Sequence, residues 1–205
     1  QEAFDIADCY RNPVLVLADG LTGQMMEPIE WHEIPHRELP PKDWATTGKH
    51  GRSHPNFVTS LSIDPNDCNE MNQRLARKYA LITEKEIRYE AKDCEDAEVV
   101  LVAYGTPARV VLSAIEELRR QGVKAGLFRP ITLWPFPEKQ LHDLAGEDHV
   151  KVVVDVEMSL GQMIDDVRLA VEGQKPVKFA GVAGGLIPTV EDIVEAAKNA
   201  LKEAE

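Results

Sequence analysis

The period of the hydrophobic positions changes along the chain, and each change predicts a different kind of element. Phe4, Ile6, Ala7 and Tyr10 mark one face of a short helix, which Asn12-Pro13 stops. Val14-Leu15-Val16-Leu17-Ala18 is apolar without interruption, as expected of a strand covered on both faces, and Asp19-Gly20 turns the chain after it. One helix covers only one face of such a strand. The pair therefore reads as the last piece of a sheet whose other strands lie elsewhere. Residues 27–60 have another texture: Pro28, Pro35, Pro40, Pro41 and Pro55 forbid a continuous helix and favour extended backbone. This stretch reads as a linker laid on a surface and pinned by Trp31 and Trp44. Asp64-Pro65 then supplies an N-cap and a proline at the first helical position. Met71, Leu75, Tyr79 and Ile82 carry an amphipathic helix to about residues 83–85. Residues 87–91 alternate, as a short edge strand would.

From Ala97 onward the pattern becomes regular. Apolar runs at 99–104, 123–128, 150–156 and 177–182 predict four buried strands. Between and after them lie helical patterns at 107–121, 137–145, 160–171 and from Thr189 to about Lys202. Strands apolar on both faces, alternating with helices, predict a parallel sheet with helices on both sides. The expected fold class is therefore α/β, with a three-layer α/β/α domain.

Length and composition narrow the picture. With 205 residues the chain holds one large α/β domain, or one domain plus a remnant of another. It opens at Gln1 directly into helix-like sequence, which suggests a fragment of a longer product. The net charge of -12, from 35 acidic and 23 basic residues, argues against nucleic acid and anionic membrane as partners. No apolar run approaches the roughly 18–20 residues of a membrane span, and no signal peptide opens the chain. Cys9, Cys68 and Cys94 are odd in number and far apart, with no CxxC pair, which argues against a disulfide framework and a self-contained iron–sulfur or zinc site. A reducing cytoplasm is the expected compartment.

Candidate chemistry competes with plainer roles at several positions. Gly105-Thr106-Pro107-Ala108-Arg109 follows a strand but has one glycine where a dinucleotide fingerprint needs three. The glycines of 181–185 lie several residues before the next helix, too early to aim N–H groups at a phosphate. Both read as tight turns. His32 and His36, like His50 and His54, have metal-ligand spacing for a helix, but Pro35 and Pro55 spoil that geometry, so they read as linker histidines. Asp155, Glu157, Asp165 and Asp166 gather near the end of the third strand of the domain. Asp165 and Asp166 read as a solvated helix face, and Glu157 as a cap on the helix after Ser159-Leu160-Gly161-Gln162. No GxSxG elbow is present.

Three stretches, with the long helix from Asp64, together resemble one family. ADGLTGQMMEP (18–28) is similar to the end of the pyrimidine-binding domain in alpha-type subunits of 2-oxoacid:ferredoxin oxidoreductases. GLFRPITLWPFP (126–137) and VVVDVEMSLGQM (152–163) resemble the transketolase C-terminal-like domain that follows it. The MMEP ending looks more like the 2-oxoisovalerate branch than the 2-oxoglutarate one. The resemblance implies a mostly parallel sheet of about five strands, with 87–91 as an antiparallel edge. It divides the chain into a pyrimidine-domain remnant (1–26), a proline-rich linker (27–61) and a transketolase C-terminal-like domain (62–205).

The reaction it implies is CoA-dependent oxidative decarboxylation of a 2-oxoacid, with ferredoxin as electron acceptor. Thiamine diphosphate, magnesium and iron–sulfur clusters would belong to the complete complex, and none is expected on this chain alone. A beta-type subunit and ferredoxin-like or gamma-type subunits would be the partners, and self-association would be one way for the severed remnant to find cover. The acid that activates the aminopyrimidine belongs to sequence outside this chain, so no catalytic residue is carried over. The strand-end loops, with Asp19, Gly20, Thr22, Gln24, Gly105, Thr106, Glu157, Gly161 and Gln162, are the candidate subunit contacts. Two other readings are the C-terminal part of a thiamine-dependent 2-oxoacid dehydrogenase beta subunit, and a non-catalytic nucleotide- or CoA-binding module.

Overall fold

The computed structural model describes residues 2–31 and 37–204. In chain order the elements are α1 (Glu2–Tyr10), α2 (Gly20–Gln24), α3 (Pro65–Lys85), β1 (Tyr89–Lys92), β2 (Val99–Val102), α4 (Gly105–Arg120), β3 (Ala125–Pro130), α5 (Glu138–Ala145), β4 (Val152–Glu157), α6 (Met163–Val171), β5 (Val177–Gly181) and α7 (Val190–Ala204). They form two compact units. One holds α1, the stretch from Met26 and α3 to Glu84; the other holds Ala18–Met25 and the chain from Lys85 onward. The 18–25 segment groups with the sheet-bearing unit, and α3 groups with the other.

Apolar strands without a polar face require cover on both sides, and the sheet provides it. Its order is β1-β3-β2-β4-β5. β2 pairs in parallel with β3 and β4, β4 pairs in parallel with β5, and β1 runs antiparallel along β3. Alternate residues of each strand serve opposite cores. Val99, Leu101, Leu127, Val152, Val154 and Val156 pack with residues of α4 and α7. Val100, Val102, Phe128 and Val153 pack with residues of α5 and α6. Val99 to Val102 are fully buried. Each such side chain contributes about 1.5–3 kcal/mol relative to exposure, which is why β2 sits at the centre.

Two details fix the antiparallel edge. Tyr89 stacks on Phe128 with ring centroids 5.4 Å apart. A Cβ at Gly126 would lie 2.6 Å from the carbonyl oxygen of Asp93, so glycine is required where the turn after β1 crosses β3.

In the other unit, Asp64 caps α3 by accepting from the N–H of Asn66 at 2.8 Å. Lys78 donates to the Asn12 side chain at 2.9 Å, and Lys42 pairs with Asp8 at 2.7 Å. The Arg11 guanidinium lies 4.6 Å from the centre of the Trp44 ring, while Trp31 is 93% exposed and pins nothing.

The strand expected at 14–18 does not form. Val14 to Leu17 have no regular structure, and Leu15 and Val16 are 77% and 79% exposed. Among the described residues no strand pairs with this run, and an unpaired strand leaves its backbone groups to water. Helix starts also shift. α4 begins two residues before Pro107, and α6 begins at Met163 rather than near Leu160. No helix among the described residues is long and apolar enough to cross a membrane.

Candidate functional site

Neighbours β2 and β4 lead away to opposite sides of the sheet, β2 toward β3 and β4 toward β5, so their carboxyl ends mark the switch point where open α/β sheets form a crevice. The loops that border it are Tyr104-Gly105-Thr106 after β2 and Met158 to Gln162 after β4.

On the β2 side, α4 begins at Gly105, whose φ of +60° suits glycine. Tyr104 occupies the N-cap position without a side-chain cap bond. The cap comes instead from Asp19, which accepts from the Thr22 N–H at 2.7 Å and also bonds the hydroxyl and N–H of Thr106. Thr22 and Thr106 hydroxyls lie 3.4 Å apart. The Thr22 N–H bond is the largest cause holding the Asp19 carboxyl down at about 2, followed by the Thr106 hydroxyl. One carboxylate thus caps α2 and reaches the first turn of α4.

On the β4 side, Glu157 is buried and caps α6. Its carboxylate accepts from the Ser159 hydroxyl at 2.8 Å, the Gln162 N–H at 3.0 Å and the Ile164 N–H at 3.0 Å. Ser159 in turn accepts from the Gly161 N–H at 3.0 Å. Burial pushes the Glu157 carboxyl up, but hydrogen bonds from Asp155, the Gln162 N–H and the Ser159 hydroxyl outweigh it and hold the group below its ordinary value. The loop passes over the end of β5, where a Cβ at Gly181 would lie 2.6 Å from the Ser159 carbonyl oxygen.

Asp155 lies two residues before Glu157 on the same side of β4 and is fully buried. Its strand neighbours in register are Val102 and Phe179. Desolvation first, then the hydrogen bond to Glu157 and its charge, push Asp155 up to about 9. Tyr104 is raised by burial and by the charges of Glu157, Asp155 and Asp19, and so senses both sides of the crevice. Asp166 is raised by burial and by Asp165 and Glu157.

The residues named from sequence therefore fall into two groups. Asp19, Thr22, Gly105 and Thr106 meet at α4, while Glu157, Gly161 and Gln162 meet at α6. Gly20 and Gln24 are exposed on α2. Glu157 has the capping role read from its position. Tyr104 was not singled out from sequence, and Asp155 and Ser159 were named there without a role of their own. For Asp155 the available signal was an acid inside an otherwise apolar strand run. His54 bonds the Ser53 hydroxyl at 2.7 Å, and His50 sits in a turn with φ of +42°. His32 and His36 lie outside the described residues.

This donor set does not suit thiamine diphosphate or an iron–sulfur cluster. N–H groups that would cradle a phosphate at α4 and α6 already bond Asp19 and Glu157, and the surrounding carboxyls oppose an anion. At α7, Thr189 and Asp192 close a reciprocal cap, the Asp192 N–H donating to the Thr189 hydroxyl at 3.1 Å. Cys94 is buried, and its thiol is pushed up to about 12 by desolvation and the charge of Glu95. Cys9 and Cys68 belong to the other unit. Among the described residues no group of His, Cys, Asp and Glu could hold a metal ion.

Comparison with known proteins places the sheet. Residues 97–193 match the family described as pyruvate:ferredoxin oxidoreductase core domain II. The chain is 42% identical to the ketoisovalerate oxidoreductase subunit VorB of Methanothermobacter marburgensis, over 94% of its own length and 54% of that protein. It is 31% identical to the 2-oxoglutarate synthase subunit KorA of the same organism, over 94% of its own length and 57% of that protein. It thus spans little more than half the length of these curated relatives. A solved 2-oxoglutarate:ferredoxin oxidoreductase from Magnetococcus marinus shares the fold, with a TM-score of 0.55, 20% identity, and coverage of 75% of this chain and 26% of that one. On the agreement of the core-domain match with relatives aligned along nearly the whole chain, it belongs to the 2-oxoacid:ferredoxin oxidoreductase family.

Proposed function

We propose that the chain is the carboxyl-terminal part of an alpha-type subunit of a 2-oxoacid:ferredoxin oxidoreductase. The complete enzyme would oxidatively decarboxylate 2-oxoisovalerate, pass the acyl group to coenzyme A and deliver the electrons to ferredoxin. The observation that carries this reading is the 42% identity to a ketoisovalerate oxidoreductase subunit along nearly the whole chain. The lower identity of 31% to the 2-oxoglutarate relative supports the branched-chain substrate. Thiamine diphosphate, magnesium and iron–sulfur clusters would be held by other parts of the complex, and the compartment would be the cytoplasm.

Within that assembly this part is architectural. Residues 1–26 derive from the pyrimidine-binding domain, 27–61 form a linker, and 62–205 form the transketolase C-terminal-like domain. The carboxyl edge of the sheet is the surface offered to a beta-type subunit, with Gln24 and Gly20 exposed and the two capped helix starts behind them. Its acids, held by internal N–H groups, give that surface a fixed shape. The test is assembly. Gln24→Trp in the full-length subunit should lower copurification with the beta-type subunit severalfold and leave the melting temperature of this part unchanged. Undiminished copurification would remove the edge from the interface. Turnover by the full-length complex with 2-oxoglutarate but not 2-oxoisovalerate would overturn the substrate.

A further inference from the structure

Asp155 poses a specific physical problem. It is fully buried, and neither carboxyl oxygen receives a hydrogen bond from a donor group. A buried carboxylate anion without donors is costly enough that the group stays protonated instead. A protonated carboxyl becomes a donor and needs an acceptor. Glu157, on the same side of β4, is that acceptor. The Glu157 carboxylate is in turn the group that gathers the Ser159 hydroxyl and the Gln162 and Ile164 N–H groups. We propose that Asp155 and Glu157 share one proton and act as a pH-sensitive latch, which holds the Met158–Gln162 loop against the start of α6 and releases it when that proton is lost.

The surroundings favour one proton over none or two. Val102 and Phe179 flank Asp155 in register and offer no donor. From the β2 side the pair faces Tyr104, a neutral phenol whose own ionisation the carboxyls oppose, with Asp19 beyond it. From α6 come Arg168, which favours ionisation, and Asp166 beside Asp165, which opposes it. A second proton would remove charge from the acceptor of two helix-start N–H groups and is opposed by them. Loss of the only proton leaves two carboxylates in contact away from water. Repulsion then drives Glu157 off the Gln162 and Ile164 N–H groups, and those groups become free to exchange. The latch depends only on residues of this chain and not on what docks at the edge.

The test uses the 205-residue chain, labelled with 13C at the aspartate side-chain carboxyl. Infrared spectra, with amide exchange in parallel and corrected for intrinsic rate, are followed from about pH 6 to about pH 10, the range that brackets a buried acid. A neutral-aspartate carbonyl band should be present at the low end and titrate away. Protection of the Gln162 and Ile164 amides should fall about tenfold or more in the same transition, while Val153 stays protected. Asp155→Asn, which donates to Glu157 without titrating, should lack the band and hold the loop amides protected throughout. Absence of a neutral-aspartate band at the low end would overturn the proposal. So would loop protection that stays constant as the band disappears, or an Asp155→Asn chain whose loop amides follow the same pH dependence as the parent. If that variant does not fold, the titration of the parent chain decides by itself.

Discussion

Replacing Asp155 with Asn removes an ionisable group from the middle of β4 while keeping a donor toward Glu157. Burial first, and then Glu157, push the carboxyl up to about 9 from an ordinary value of 3.8. The folded chain therefore holds the proton more tightly. The contribution of this group to stability is complete below the unfolded value and is lost as pH rises through 9. Asp155→Asn should raise the melting temperature at alkaline pH by several degrees, at roughly 2–4 °C per kcal/mol for a chain of this size. It should also flatten the slope of stability against pH. Melts that show no gain, or the same slope, would refute it.

Glu157 has the opposite sign. Its lowered value means stability that is present above the unfolded pKa and lost as pH falls through the folded one. Glu157→Ala deprives two helix-start N–H groups and the Asp155 proton of their acceptor, at a cost of about 3 kcal/mol by urea denaturation. Asp19 follows the same rule as Glu157, and its hold on Thr106 should weaken as pH falls toward 2. All three are single carboxyls placed against backbone N–H groups or each other. The sequence shows the residues, but the burial that shifts Asp155 and the reach of Asp19 to Thr106 depend on how distant segments pack.

At the scale of elements, the two apolar runs Val14–Ala18 and Val152–Val156 look alike and fold differently. Val152 to Val156 are buried between β2 and β5, and Val14 to Leu17 are exposed and unpaired among the described residues. Hydrogen exchange should therefore be much faster at Val14 to Leu17 than at Val152 to Val154. Equal protection in the monomer would mean that the first run does find a partner strand. Gly126 offers a second test. A Cβ there meets the backbone of Asp93 and Cys94 at 2.6–2.9 Å, and backbone cannot move aside cheaply. Gly126→Ala should destabilise the chain by about 1–3 kcal/mol in denaturant, whereas Gly173→Ala, in open space but at φ of +76°, is strained only by its backbone angle. Four parallel strands and their helices were legible because period and apolar run length report directly on cover. The starts of α4 and α6 were not, because distant or preceding carboxylates set them: Asp19 for one and Glu157 for the other.

For the whole molecule, the relevant fact is that the chain spans about half the length of its curated relatives. Tested alone with thiamine diphosphate, magnesium, coenzyme A and 2-oxoisovalerate, it is expected to reduce no viologen dye. Measurable turnover would place catalytic residues within this chain. The 18–25 segment joins the sheet-bearing unit through Asp19, Thr22 and Thr106.

The strand–helix alternation, the antiparallel edge implied by a family resemblance and the capping role of Glu157 were all legible along the chain. Each of these depends on neighbours within a few residues or on a motif read along the chain. Long-range packing decided that Val14–Ala18 finds no partner strand among the described residues, that Asp19 caps a helix more than eighty residues away, and that Val102 and Phe179 flank Asp155. Each depends on contacts between segments far apart in the chain, which a local pattern of apolar and polar positions does not report.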